Sequence, residues 1–208
     1  MTTEIETYLN SLSEDILTLS IDDRNITSLP DLTRFKNLKE LYCSANQLSS
    51  LPTTLPQTLE ILFCSDNKLT YLPNLTRLEN LVKLECCNNE LTSLPTLPQN
   101  LKELFCFDNK LTYLPNLPEN ILNFICWDNP ICNILDNDND NNSLMKIKQN
   151  IKIVNNFRHL NYSLKFKKHF IKWLWKSREK QIMEKYHPKY LLDNLEENAD
   201  LDEFLNNW

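Results

Sequence analysis

The chain repeats itself, and that constrains its folding more than anything else in it. Five segments share one wording: LKELYCSANQLSSLP, LEILFCSDNKLTYLP, LVKLECCNNELTSLP, LKELFCFDNKLTYLP and ILNFICWDNPICNIL. The common pattern is LxxLxCxxNxLxxLP. Its second leucine-type position falls at Leu41, Leu62, Leu84, Leu104 and Phe124, at intervals of 21, 22, 20 and 20 residues. A weaker first copy, ILTLSIDDRNITSLP, starts at Ile16 and carries Arg24 in the asparagine slot. A unit this short cannot bury its own apolar face. Successive copies must stack, share one interior and touch only their neighbours.

The wording matches the leucine-rich-repeat pattern, whose units run to about 20–29 residues and contribute one short parallel strand and a return arm. At the short end of that range the arms, such as TLPQNLKE and NLPENILN, lack the length for a helix. They are expected to be extended or 3₁₀-like, with Pro52, Pro73, Pro95 and Pro115 fixing the turn away from the strand. Leu48, Leu69, Leu91, Leu111 and Ile131, with Leu51, Leu72, Leu94, Leu114 and Ile134, should fill the interior in rows. Asn46, Asn67, Asn89, Asn109 and Asn129 should form a ladder, each amide satisfying backbone groups of its own and the next turn, because unpaired buried polar groups are costly.

The chain has no glycine at all. Phosphate-cradling loops, dinucleotide fingerprints and nucleophile elbows need glycine, where the backbone takes positive φ or lies too close to a ligand for a Cβ. Those enzyme classes are excluded, and asparagine is expected to take over the tight turns. The cysteines number seven, and five of them, Cys43, Cys64, Cys86, Cys106 and Cys126, occupy one inward slot. Parallel strands stand about 4.8 Å apart, more than the roughly 3.5–4.5 Å between the Cβ atoms of a disulfide. With no CxxC or HExxH spacing beside them, these thiols read as small hydrophobes of the interior, and neither metal nor cofactor is expected. Strand alternation points Cys87 onto the open face, yet no base accompanies it, so nucleophilic catalysis is disfavoured.

Two outward columns read Ser20, Tyr42, Phe63, Glu85, Phe105, Ile125 and Asp22, Ser44, Ser65, Cys87, Phe107, Trp127. Exposed aromatics at this density are hard to justify by stability, and aromatics are enriched at interface hot spots. Tyr42, Phe63, Phe105, Phe107 and Trp127 are therefore the candidate partner-binding residues, with Asp66, Asp108 and Asp128 as an acidic rim beside them. The competing reading folds the C-terminal helices over Phe107 and Trp127.

At the N-terminus, Ile5, Leu9, Leu12 and Ile16 share a helical face, and Thr3 and Glu6 are spaced as a capping box. Beyond Ile134 comes DNDNDNN, a polar linker whose Asp136, Asp138 and Asp140 imitate a calcium loop without its glycine or its closing glutamate. Charge is very uneven: residues 1–142 hold 9 basic and 20 acidic side chains, residues 143–190 hold 13 and 2, and residues 191–208 add 6 acids. A basic block with interleaved aromatics raises nucleic-acid or acidic-partner binding as the alternative function, through Lys165, Lys168, Lys172, Lys176 and Arg178. Docking of the same helix on the acidic repeats is the favoured explanation. No apolar run is long enough to span a membrane, and the first ten residues, MTTEIETYLN, are acidic and polar where a secretory signal would be basic and then apolar. A cytoplasmic protein is the expectation.

The stretches LPDLTRFKNLKELYCSANQLSSLP and LPQNLKELFCFDNKLTYLP resemble the leucine-rich-repeat proteins of giant DNA viruses of amoebae, the mimivirus group. The tail HFIKWLWKSREKQIMEKYHPKYLLDNLEENADLDEFLNNW is similar to a C-terminal segment common among proteins of those viruses. The repeats are also similar to those of bacterial effectors with 20-residue units; nothing resembles the ubiquitin-ligase domain that some of them append. The resemblance implies a viral protein of the host cytoplasm and supplies no catalytic residues.

The fold expected is thus an α/β-type leucine-rich-repeat solenoid, with short parallel strands on the concave face and irregular or 3₁₀ return arms. An N-terminal helical cap (1–15) precedes about six repeats (16–135), a linker (136–142) and a basic C-terminal α-helical segment (143–208). The function expected is non-catalytic protein–protein interaction through the concave aromatic face, without a small-molecule substrate and without membrane association.

Overall fold

The computed structural model describes residues 4–132 and 143–185, with side chains in the second stretch as far as His169 except those of Ser143, Asn161 and Lys168. Thr3 of the capping box, Ile134, the 136–142 linker and the acidic tail lie outside the described residues. The chain divides into two compact units, Met1–Asn155 and Asn156–Trp208.

In the first unit six three-residue strands form one parallel sheet in chain order: β1 (Thr18–Ser20), β2 (Glu40–Tyr42), β3 (Ile61–Phe63), β4 (Lys83–Glu85), β5 (Glu103–Phe105) and β6 (Asn123–Ile125). Every strand is centred on the repeat's second leucine-type residue, and the register pairs Leu19, Leu41, Leu62, Leu84, Leu104 and Phe124 across the sheet. Period-two alternation turns that residue and the cysteine two positions later inward, while the flanking positions stand on the open face. The strands are short because each chain then bends at a left-handed residue. Asp23, Ala45, Asp66, Asn88, Asp108 and Asp128 have φ between 52 and 54°, and Asn25 has φ 56°. Aspartate, more than the expected asparagine, holds these corners: the ladder asparagine follows immediately and is committed to the interior, so the tolerant residue in front of it is mostly aspartate.

The return arms are irregular, built on single i−3 turns such as Phe35 N to Leu32 O (3.0 Å), Leu78 N to Leu75 O (3.0 Å) and Leu101 N to Pro98 O (3.2 Å). Their leucines complete one contiguous core in which Leu48, Leu69, Leu91 and Leu111 have no exposed surface. The asparagine ladder is buried as expected, but it points the other way. Asn67 Nδ2 donates to Cys64 O and Ser65 O of its own turn and to Cys43 O of the preceding turn, while its Oδ1 accepts Leu48 N at 2.9 Å. Asn89, Asn109 and Asn129 repeat the arrangement.

Helix α1 (Glu4–Asn10) buries Ile5 and Leu9 at the N-terminal end of the core. It stops earlier than the apolar spacing suggests. Arg34 donates to Leu9 O, Leu12 O and Asn10 Oδ1, drawing the chain out of the helix while Leu12 and Ile16 still pack on the core. Helix α2 (Ser143–Lys185) begins within the first unit. There Ile147 and Ile151 join the core, Asn155 Nδ2 donates to Leu114 O (3.2 Å) and Asn116 Oδ1 (2.8 Å), and Lys148 Nζ donates to Glu119 O (2.7 Å). In the second unit Phe157, Leu160, Tyr162, Leu164 and Phe166 are exposed.

Candidate functional site

The open face of the sheet collects side chains from five strands and the corners that follow them. Tyr42 and Phe63, one strand apart, meet edge to face with centroids 5.0 Å apart and planes at 86°. Phe107 and Trp127, just past β5 and β6, stack at 4.2 Å and 14°. Such pairs contribute about 0.5–1.5 kcal/mol beyond the area they bury. They also cover each other: Tyr42, Phe63, Phe105 and Phe107 are half-buried, and Trp127 is 49% exposed. The α2 segment of the first unit lies against the return arm, with Asn155 on Leu114 O and Lys148 on Glu119 O.

Between the two aromatic pairs stands Lys83. Its Nζ lies 4.9 Å from the Phe63 ring centre and 5.4 Å from that of Phe105, and it pairs with Glu85 (3.0 Å) and Glu103 (3.4 Å). The hydrogen bond it donates to Glu85 raises its pKa, so it is a fixed cation between two rings. Alternation places Lys83 on the same face as Glu85 and beside Phe63 and Phe105, so the sequence held the signal, but the search for aromatics passed over it. Lys83 thus stands between Phe63 and Phe105, with Phe107 and Trp127 in the next column. Tyr42 hydroxyl donates to Glu40 Oε2 at 3.2 Å; burial, more than that carboxylate, raises its pKa.

Cys87 departs from its sequence reading. It stands in the outward column but is only 5% exposed, a short side chain between Ser65 and Phe107 of the same column. Burial pushes its thiol up to about 11, although hydrogen bonds from the Phe107 backbone and the Ser65 hydroxyl pull the other way. A thiol so protonated at neutral pH is a poor nucleophile. The inward thiols go further: burial pushes Cys43 up to about 12, and Cys64, Cys86 and Cys106 well above the ordinary range. Among the described residues no group of three or more histidine, cysteine or acidic side chains could hold a metal ion. No helix among them is long and apolar enough to cross a membrane.

Asp66, Asp108 and Asp128 are exposed, and their left-handed φ gives them a backbone reason to be there. In the alternative basic patch Lys165 is exposed on α2; Lys168, Lys172, Lys176 and Arg178 belong to the same helix, and their side chains lie outside the described residues.

Stacked 20- to 22-residue units, a parallel strand in each and a buried asparagine ladder define a leucine-rich-repeat solenoid. No protein-family model matches the chain, and no curated protein matches it. Among solved structures it is similar to the leucine-rich-repeat domain of a Shigella effector, with 35% identity over 60% of this chain and 53% of that one and a TM-score of 0.52. It is also similar to YopM from Yersinia enterocolitica (30% identity, 55% of this chain and 29% of that one, TM-score 0.43). A leucine-rich effector, YopM from Yersinia pestis, matches at 24% identity over 56% and 44%, with a TM-score of 0.45. The chain spans about half the length of the Shigella domain, and less of either YopM chain.

Proposed function

We propose that this chain is a non-catalytic protein-interaction module that holds a protein partner on the strip formed by Tyr42, Phe63, Phe105, Phe107 and Trp127. The cytoplasm is its proposed location, in a host cell if the giant-virus wording reflects its origin. The observation that carries the reading is the strip itself: five aromatics and a clamped lysine on one face of a rigid sheet, half-open to solvent, with the core complete beneath them. Rigid aromatics lose little entropy on binding and are common hot spots. The likeness to an effector's leucine-rich-repeat domain supports an interaction role over catalysis.

The test is the double variant Phe63→Ala with Phe105→Ala, used as bait in affinity capture with mass spectrometry. Capture should be lost while the circular-dichroism melt stays cooperative, since both rings lie half-open on the sheet and the core beneath them is untouched. Equal capture by parent and variant sinks the proposal.

A second reading, association of α2 with a polyanion, is favoured by Phe157, Tyr162 and Phe166 lying exposed among Lys165 and Lys167. A filter-binding titration against single-stranded nucleic acid should then weaken steeply with salt. Absence of binding at low salt removes that reading.

A further inference from the structure

The last turn breaks a pattern that the turns before it keep. The carbonyl of each inward cysteine accepts two asparagine amides, one from its own turn and one from the turn after: Cys64 O from Asn67 and Asn89, Cys86 O from Asn89 and Asn109, Cys106 O from Asn109 and Asn129. Cys126 O accepts its own Asn129 at 2.9 Å, and no seventh repeat follows to supply the other. Cys132 Sγ lies 2.6 Å from the same carbonyl.

Cys132 reaches it because the chain changes course. In earlier turns the same position holds Ser49, Thr70, Thr92 and Thr112, all exposed. After Asn129 the backbone instead closes a tight turn, with Cys132 N donating to Asn129 O at 3.0 Å, and the thiol swings back over the end of the stack. Its Sγ comes to rest 3.2 Å from Cys126 Sγ. Cysteines of successive strands stand about 4.8 Å apart with parallel Cβ vectors, whereas these two approach from opposite sides of one seven-residue loop. Only a modest closure separates them from the roughly 2.05 Å of a disulfide bond.

The geometry points to Cys126 and Cys132 as a dithiol–disulfide pair, the oxidation site of this chain, closing the C-terminal end of the repeat stack. Half-exposed Cys132 is the entry thiol and buried Cys126 the second. With glutathione disulfide as oxidant, the Cys132 thiolate attacks one glutathione sulfur, forms a mixed disulfide and releases one glutathione thiolate. Cys126, deprotonated, then attacks Cys132 Sγ, forms the internal bond and releases the second glutathione. Two protein thiols lose two protons and two electrons, and one glutathione disulfide becomes two glutathione thiols. Trp127, Asp128, Asn129, Pro130 and Ile131 fall inside the ring so formed.

The experiment uses the full chain, purified reduced, titrated across glutathione disulfide to glutathione ratios, quenched in acid, alkylated and mapped by mass spectrometry. The expected product is an internal Cys126–Cys132 link, two hydrogens lighter and reversed by dithiothreitol, with Cys43, Cys64, Cys86 and Cys106 still thiols. C126S should stop at glutathione on Cys132, and C132S should leave Cys126 a thiol while keeping the parent's circular-dichroism spectrum. Recovery of Cys132 from the oxidised parent as a thiol, or only as its glutathione adduct with Cys126 still reduced, overturns the proposal.

Discussion

Replacing Asn89 by leucine keeps the number and branching of side-chain heavy atoms and removes the polar ones, so it tests the work of one rung of the ladder. Asn89 Nδ2 donates to Cys64 O, Cys86 O and Cys87 O at 3.0, 3.4 and 3.0 Å, and its Oδ1 accepts Leu69 N at 2.9 Å. The three carbonyls keep other donors: Asn67 on Cys64 O, Asn109 on Cys86 O and the Asp66 amide on Cys87 O. The Leu69 amide loses its acceptor in a fully buried setting. One orphaned buried donor costs about 1–3 kcal/mol. With a urea dependence of about 1–3 kcal/mol per molar, the unfolding midpoint should fall by roughly 1 M. Because the damage lies one turn before the substitution, amide exchange should accelerate at Leu69 first. A midpoint unchanged from the parent, with the Leu69 amide still protected, would refute the directional ladder.

Two further outcomes follow from single residues. Ala45 alone among the corners carries a side chain with no particular tolerance of left-handed φ. That conformation costs an L-residue roughly 1–2 kcal/mol, so Ala45→Asn, which adds no charge between Asp23 and Asp66, should raise stability by about 0.5–1 kcal/mol in a urea melt; a loss of stability would contradict it. Cys87, with its thiol pushed up to about 11, should be alkylated slowly at pH 8 and faster by about tenfold for each pH unit until that value, since only the thiolate reacts. Rapid, pH-independent modification at pH 7 would show the thiol to be activated.

The strand centres, the leucine rows and the inward cysteines were all legible in the sequence, because a 20- to 22-residue period and two-residue alternation fix them without knowledge of the third dimension. What escaped depends on neighbours a turn away. The direction of the asparagine bonds, the burial of Cys87 beside Phe107 and the shortening of α1 by Arg34 all arise from such contacts. Cys132 gave no signal, since a threonine-type position turns inward only where the repeat ends. For the proposed strip, the aromatics were legible and their pairing was not. Lys83 was visible on the correct face, but its three-way placement with Phe63, Phe105 and the two carboxylates needed the register.

The clamp at Lys83 divides the open face into two apolar footholds. One spans β2 and β3 at Tyr42 and Phe63, and the other gathers Phe105, Phe107 and Trp127 at β5 and β6. Three strand intervals of about 4.8 Å set the gap near 14 Å. A ligand seated on both must carry apolar groups at that spacing, about nine residues apart along a helix or four along an extended chain. Between them it must face a cation already satisfied by two carboxylates. For the partner proposed above, the sheet is a ruler: it sets the distance between two apolar footholds around a centre where one lysine is outnumbered by two carboxylates.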